Sequence, residues 1–151
     1  MDLTTLDERL CGKLIWYQIP LQELELYQTL AQQYTGVWVD YERYMKAGLL
    51  NVQEGQTGVL LVKFEHNTGI EKLGFHRHPA SDRQIVILEG TGQFHYGFPL
   101  TSLDVSEGIY LEFPRGTVHT FTTTEKDMIV LSIHRPFIAL GDEECLEMYI
   151  K

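Results

Sequence analysis

Gly108-Ile109-Tyr110-Leu111-Glu112-Phe113-Pro114-Arg115-Gly116-Thr117-Val118-His119 is the stretch on which the fold turns. Ile109–Phe113 reads as a strand, rich in β-branched and aromatic residues. Pro114-Arg115-Gly116 then has turn chemistry, with Pro fixing φ and Gly free to take a positive φ. A tight turn there aims His119 at a fixed point. Upstream, Gly74-Phe75-His76-Arg77-His78 brings two more histidines. His76 and His78 are two apart, so on a strand both point to one face. Neutral imidazole is the commonest ligand for divalent first-row metals. Three convergent imidazoles leave coordination positions open for water or substrate, the layout of a catalytic rather than a structural site.

Outward from this core the chain continues in short strands. Expected strands are Lys13–Ile19, Val37–Tyr44, Gly58–Glu65, Leu73–His78, Gln84–Glu89, Gln93–Phe98, Val118–Thr123, Met128–His134 and Leu146–Ile150. Turn signals separate them, Asn67-Thr68-Gly69 among them, and Gly90-Thr91-Gly92 reads as a hairpin connection. Pro20 opens one helix over Leu21–Tyr34. Leu21, Leu24, Tyr27, Ala31 and Tyr34 recur at helical spacing, and Gly36 lies just past the end. Residues 1–12 read as an arm or short helix. The expected organisation is a 1–36 segment of arm, strand and helix packed on a 37–151 all-β barrel.

The two histidine stretches resemble the paired motifs of the cupin superfamily. The second motif is G, five residues, P, one residue, G, two residues, H, three residues, N. Gly108, Pro114, Gly116 and His119 fit it, with Thr123 in place of the Asn. The first motif is HxH, three or four residues, E, six residues, G. His76, His78 and Gly90 fit it, with Arg83 in the Glu position. The resemblance implies a double-stranded β-helix, or jelly-roll, with one short N-terminal helix. It implies a divalent transition metal held by His76, His78 and His119, Fe(II) favoured, with Mn, Ni, Cu or Zn also suited to imidazole. It also implies a homodimer formed through sheet edges, with Lys13–Ile19 the natural edge.

Arg83 has five donors and no acceptor, so it binds no cation. Two arrangements follow. In one, Arg83 points inward with Ile85 and Ile87 and clamps a carboxylate or phosphate beside the metal. In the other the strand slips by one residue, and Gln84 turns inward with Val86 and Leu88 as a further metal ligand. Ser81 and Asp82 offer oxygens in the same loop. A three-histidine site lacking the Glu is similar to one cupin branch, the thiol dioxygenases, which carry an SxHxY run on a later strand. This chain has Ser132-Ile133-His134-Arg135-Pro136, with Pro136 in the tyrosine position. Ser132 and His134 share a face, and His134 is expected to assist proton transfer. The implied activity is dioxygenation of a small organic acid, thiol or phenolic compound. A binding or sensing module without turnover is the alternative.

Composition bounds the partners. The chain has 151 residues, enough for one domain with a full core. Its net charge of −9 and lack of a basic stripe argue against nucleic acid and against an anionic membrane surface. A small molecule is the expected partner, anionic because Arg83 would hold it. The N-terminal residues lack the basic and apolar regions of a secretory signal, so a cytoplasmic location with Cys11 and Cys145 as reduced thiols is expected. There is no GxSxG elbow, phosphate loop, GxGxxG run or CxxC pair.

Overall fold

A computed structural model describes residues 14–41, 45–97, 100–138 and 144–146. The strands are β1 (Ile15–Gln18), β2 (Trp38–Tyr41), β3 (Met45–Asn51), β4 (Gly58–Phe64), β5 (Phe75–Arg77), β6 (Asp82–Glu89), β7 (Gly92–Tyr96), β8 (Thr101–Val105), β9 (Ile109–Phe113), β10 (His119–Thr123), β11 (Met128–Arg135) and β12 (Glu144–Leu146). Helix α1 spans Leu21–Gln32 and a single turn, α2, spans Ile70–Leu73. The strands form two antiparallel sheets, ordered β1-β9-β6-β11-β4-β3-β2 and β12-β5-β10-β7-β8. This is the all-β jelly-roll expected from the sequence. The arm at residues 1–12 and Cys11 lie outside the described residues, as do the ends of the strands expected to reach Tyr44, Phe98 and Ile150.

Alternation along the strands builds two apolar layers. Between the sheets lie Leu60, Val62, Phe64, Ile85, Ile87, Phe94, Leu111, Phe113, Phe121 and Val130. The second layer lies on the outer face of the seven-stranded sheet, where Leu61, Val86, Leu88 and Leu131 pack with Ile19 and Leu24, and with the partly buried Tyr27 and Ala31 of α1. The helical stripe is therefore a packing face, except that Leu21 is exposed. Gln28 ties the helix to the sheet by donating from Nε2 to the Leu88 carbonyl at 2.9 Å. The first strand is part of the sheet rather than an addition to its surface: β1 pairs β9 from Ile15↔Glu112 to Gln18↔Ile109. It forms an edge, and Ile15, Trp16 and Tyr17 are each about half exposed.

The strand expected over Leu73–His78 begins only at Phe75, since Leu73 closes α2, and three further features depart from the sequence expectation. Strand β3 was not anticipated, because Ala47 and Gly48 carry little strand preference. Gly48 is there for space: a Cβ would sit 2.8 Å from the Tyr34 ring, which lies over it. Strand β8 also went unforeseen, since its Thr-Ser-Leu-Asp-Val face is mostly exposed on a sheet edge. Finally, Gly90-Thr91-Gly92 is no hairpin. It joins β6 and β7, which belong to different sheets, so it is a corner where the chain crosses between layers. Gly90 takes φ +88°, and a Cβ on Gly92 would collide with the Thr122 carbonyl oxygen of β10. That oxygen is backbone within a sheet and cannot swing away. Gly92→Ala is expected to cost about 2–3 kcal/mol through this overpacking. A thermal melt checks it, and an unchanged Tm would mean the corner has slack.

Candidate metal centre

Sheet registry places the three histidines together. His76 on β5 pairs directly with His119, the first residue of β10. His78 follows β5 by one residue and shares the face of His76, as its spacing requires. The rings lie 4.4 Å (His76–His119), 5.0 Å (His76–His78) and 5.4 Å (His78–His119) apart between centroids. One ligand nitrogen from each lies within 4.8 Å of the others, and all three residues are buried. His119 is further fixed between Phe113 and Phe94.

A clasp at the mouth of β9 holds the two motifs in this relation. The turn expected at Pro114-Arg115-Gly116 forms, with Gly116 at φ +84°. The Gly116 N–H donates to the His78 carbonyl at 2.9 Å, joining one motif to the other through the backbone. Thr117 closes the turn by donating from Oγ1 to the Pro114 carbonyl at 2.8 Å. Asp82 accepts the Arg115 backbone N–H at 2.8 Å and both Nε–H and Nη2–H at 3.2 Å. These donors hold its carboxyl below the usual range. Asp82 is thus committed to the clasp, and Ser81 donates to the Pro136 carbonyl at 2.8 Å. Asp82→Ala is expected to leave the fold intact but weaken metal binding about tenfold, as loss of ligand-orienting contacts does. Competition with a chromogenic chelator measures it; parent-like affinity would show the clasp irrelevant to the centre.

The strand-register question is settled by packing. Ile85 and Ile87 lie between the sheets, and Val86 and Leu88 lie under α1. Arg83 accordingly points inward and is 6% exposed. Gln84 does not join the histidines. It sits on the opposite face, donating from Nε2 to the Tyr110 hydroxyl at 2.6 Å and to Glu112 at 3.1 Å. The expected role of Gln84 as a metal ligand is therefore corrected: the unslipped register turns its amide away from the cavity. Arg83 donates from Nη1 to His134 Nε2 at 2.7 Å, and Ser132 Oγ lies 2.9 Å from the same nitrogen. Ser132 and His134 share the inner face, as alternation requires. His95 lies elsewhere, between Ser102 and Thr122, while His66 pairs with Asp127 near the surface.

The three imidazoles, Arg83, Ser132 and His134 line a cavity of about 30 Å³, room for a couple of waters. Its apolar wall includes Met45, Val62, Phe113, Phe121 and Val130. Tyr41 of β2 also lines it, a residue nothing in the local sequence marked. Burial is the main force on the rings. It pushes His119 down to about 4, with Arg83 adding to the effect and the Thr117 carbonyl opposing it. Burial, then Arg83, drives His78 and His134 far below the ordinary histidine range. His78 and His119 are thereby held in the neutral form that a metal requires. His119 Nδ1 lies 2.8 Å from the Thr117 carbonyl oxygen. It must donate there, which leaves the Nε2 lone pair available to a metal. A buried set of three imidazole donors with one ring already oriented fits a divalent transition metal.

A family model described as "Cupin domain" matches residues 60–134, which includes all three histidines and Arg83. The chain belongs to the cupin superfamily. Solved cupins share its architecture at low identity. KdgF from Halomonas sp. superposes with a TM-score of 0.58 at 19% identity, covering 68% of this chain and 90% of that one. A Streptomyces Pac13 variant with uridine gives 0.57 at 14%, covering 73% and 83%. An oxalate decarboxylase from Lactobacillus farciminis, in complex with formate, gives 0.57 at 12%, covering 75% of this cupin but 34% of its own length. At these identities the likeness is one of fold. No curated protein sequence matches this cupin. No helix among its described residues is long and apolar enough to cross a membrane.

Proposed function

We propose that this cupin is a mononuclear metal enzyme for a small anionic substrate, with Fe(II)-dependent dioxygenation as its reaction. The observation that carries the proposal is the buried Arg83 guanidinium sharing one cavity with three buried imidazoles, His76, His78 and His119. A dication and a guanidinium in one low-dielectric space repel each other unless an anion lies between them. A carboxylate satisfies both, and a planar guanidinium matches it. His76, His78 and His119 would hold the metal. When bound, the metal would supply Lewis acidity and, as iron, electron exchange with O₂. Arg83 orients the substrate's anionic end, and the ring of Phe113, Phe121, Met45 and Val62 excludes water. A cavity of about 30 Å³ admits no more than the anionic head of a small substrate.

The same small volume favours one rival, a module that binds metal and anion without turnover. Oxygen uptake by iron-loaded protein, against a panel of small carboxylates, thiols and phenols, tests both. Substrate-dependent uptake that vanishes in His119→Ala is the expected result. Thermal stabilisation by an anion with no consumption of it would favour the binding module. Consumption without oxygen uptake would shift the reading to chemistry that uses no O₂, such as the dehydration named for the nucleoside dehydratase Pac13.

A further inference from the structure

We infer that His134 is a positioning residue, whose Nε2 accepts a hydrogen bond from Arg83 and fixes the guanidinium facing the histidine cluster, rather than a group that exchanges protons with substrate. The inference deepens the proposal above and rests on its reading of Arg83 as the anion holder.

Donor and acceptor chemistry decides the ring's tautomer. Arg83 Nη1 and His134 Nε2 are 2.7 Å apart, and a guanidinium only donates. Nε2 must therefore present its lone pair, which puts the ring proton on Nδ1. An imidazolium, or the opposite tautomer, would set N–H against N–H at that distance. Ser132 Oγ lies 2.9 Å from the same nitrogen, which has one lone pair, so its hydroxyl can only share that acceptor with Arg83. The ring itself is held in place, stacked on Phe137 at 6.0 Å and 27° and tilted against Tyr41 at 6.5 Å. His134 is 1% exposed. Its Nε2 is thus engaged by a permanent cation from a neighbouring strand, paired Arg83↔His134 in the sheet registry. A nitrogen so engaged is a poor proton carrier and a good anchor.

Two measurements test this. In long-range ¹H–¹⁵N spectra of metal-free protein at pH 7, one imidazole, assigned by its loss in His134→Gln, is expected as the neutral Nδ1–H tautomer. An Nε2–H tautomer or an imidazolium for that ring overturns the inference. The second is calorimetric titration of formate into the protein as isolated. His134→Leu, which removes the acceptor, is expected to weaken formate binding about tenfold or more. His134→Gln, which restores an acceptor oxygen, is expected to recover most of that loss. Equal weakening in both variants, or none in His134→Leu, overturns positioning. If the parent does not bind formate, the anion-holding role of Arg83 fails, and the tautomer then decides the His134–Arg83 contact by itself.

Discussion

His119→Ala is expected to empty the metal centre. Metal content by elemental analysis should fall from near one per chain to background, with affinity lower by on the order of 10²-fold or more. Loss of a partner that merely orients a ligand costs about 10–100-fold, and His119 is itself a ligand in the proposed centre. The two remaining imidazoles come from a single HxH run, and such a pair leaves the far side of the ion to water. Neither Gln84, which faces the other way, nor Asp82, which is held by Arg115, can take its place. Because the ring is packed between Phe94 and Phe113, the substitution also leaves a void. Thermal melts of both metal-free proteins would separate that loss from the loss of metal. Full metal occupancy in the variant would show that the cluster is not the site.

The second large effect is acid lability of the metal-free protein. Burial lowers the folded-state pKa of His78, His119 and His134 below the ordinary value of 6.5. Below pH 6.5 the unfolded chain takes up protons at these rings and the folded chain does not. Stability therefore rises with pH in this window and is lost as pH falls toward the folded-state values. Each ring that stays neutral contributes a slope of about 1.4 kcal/mol per pH unit. For His119, pushed down to about 4, the loss totals about 3 kcal/mol. Against a typical stability of about 5–15 kcal/mol, three such rings should bring acid unfolding between about pH 5 and 4. The carboxylates Asp82 and Asp127 act lower, since theirs start from 3.8 and are depressed further. Urea midpoints on chelator-treated protein from pH 8 to 4.5 measure the slope. A flat midpoint between pH 7 and 5 would mean the rings are not held neutral. Metal, which binds neutral imidazole, should raise the high-pH end and steepen the profile.

The histidine cluster was legible in the sequence because its parts are local. HxH spacing puts two rings on one face, and a Pro-x-Gly turn immediately precedes the third. The orientation of Arg83 was not legible, for a definite reason. Strand β6 is buried on both faces, one between the sheets and one under α1. Ile85 and Ile87 look as apolar as Val86 and Leu88, so alternation could not choose between them. The Gly90–Gly92 corner was misjudged because a turn sequence specifies a local bend and not which sheet receives the next strand. Tyr41 was invisible because its place at the cavity depends on β2 lying across the far end of the seven-stranded sheet, which only the topology supplies. The His134–Arg83 contact joins residues 51 apart, and no short-range pattern encodes it.

The pairing of β1 with β9 has a consequence for synthesis. Ile15–Gln18 emerges from the ribosome long before its partner Ile109–Phe113 exists. Until then the nascent chain carries Ile15, Trp16 and Tyr17 on a strand with no ladder to join, a segment apt to pair with neighbouring chains. Completion of this edge must be among the late events, since it closes the longest loop in the seven-stranded sheet. Yield in a heterologous host should then depend more on translation speed and chaperone supply than on the stability of the finished barrel.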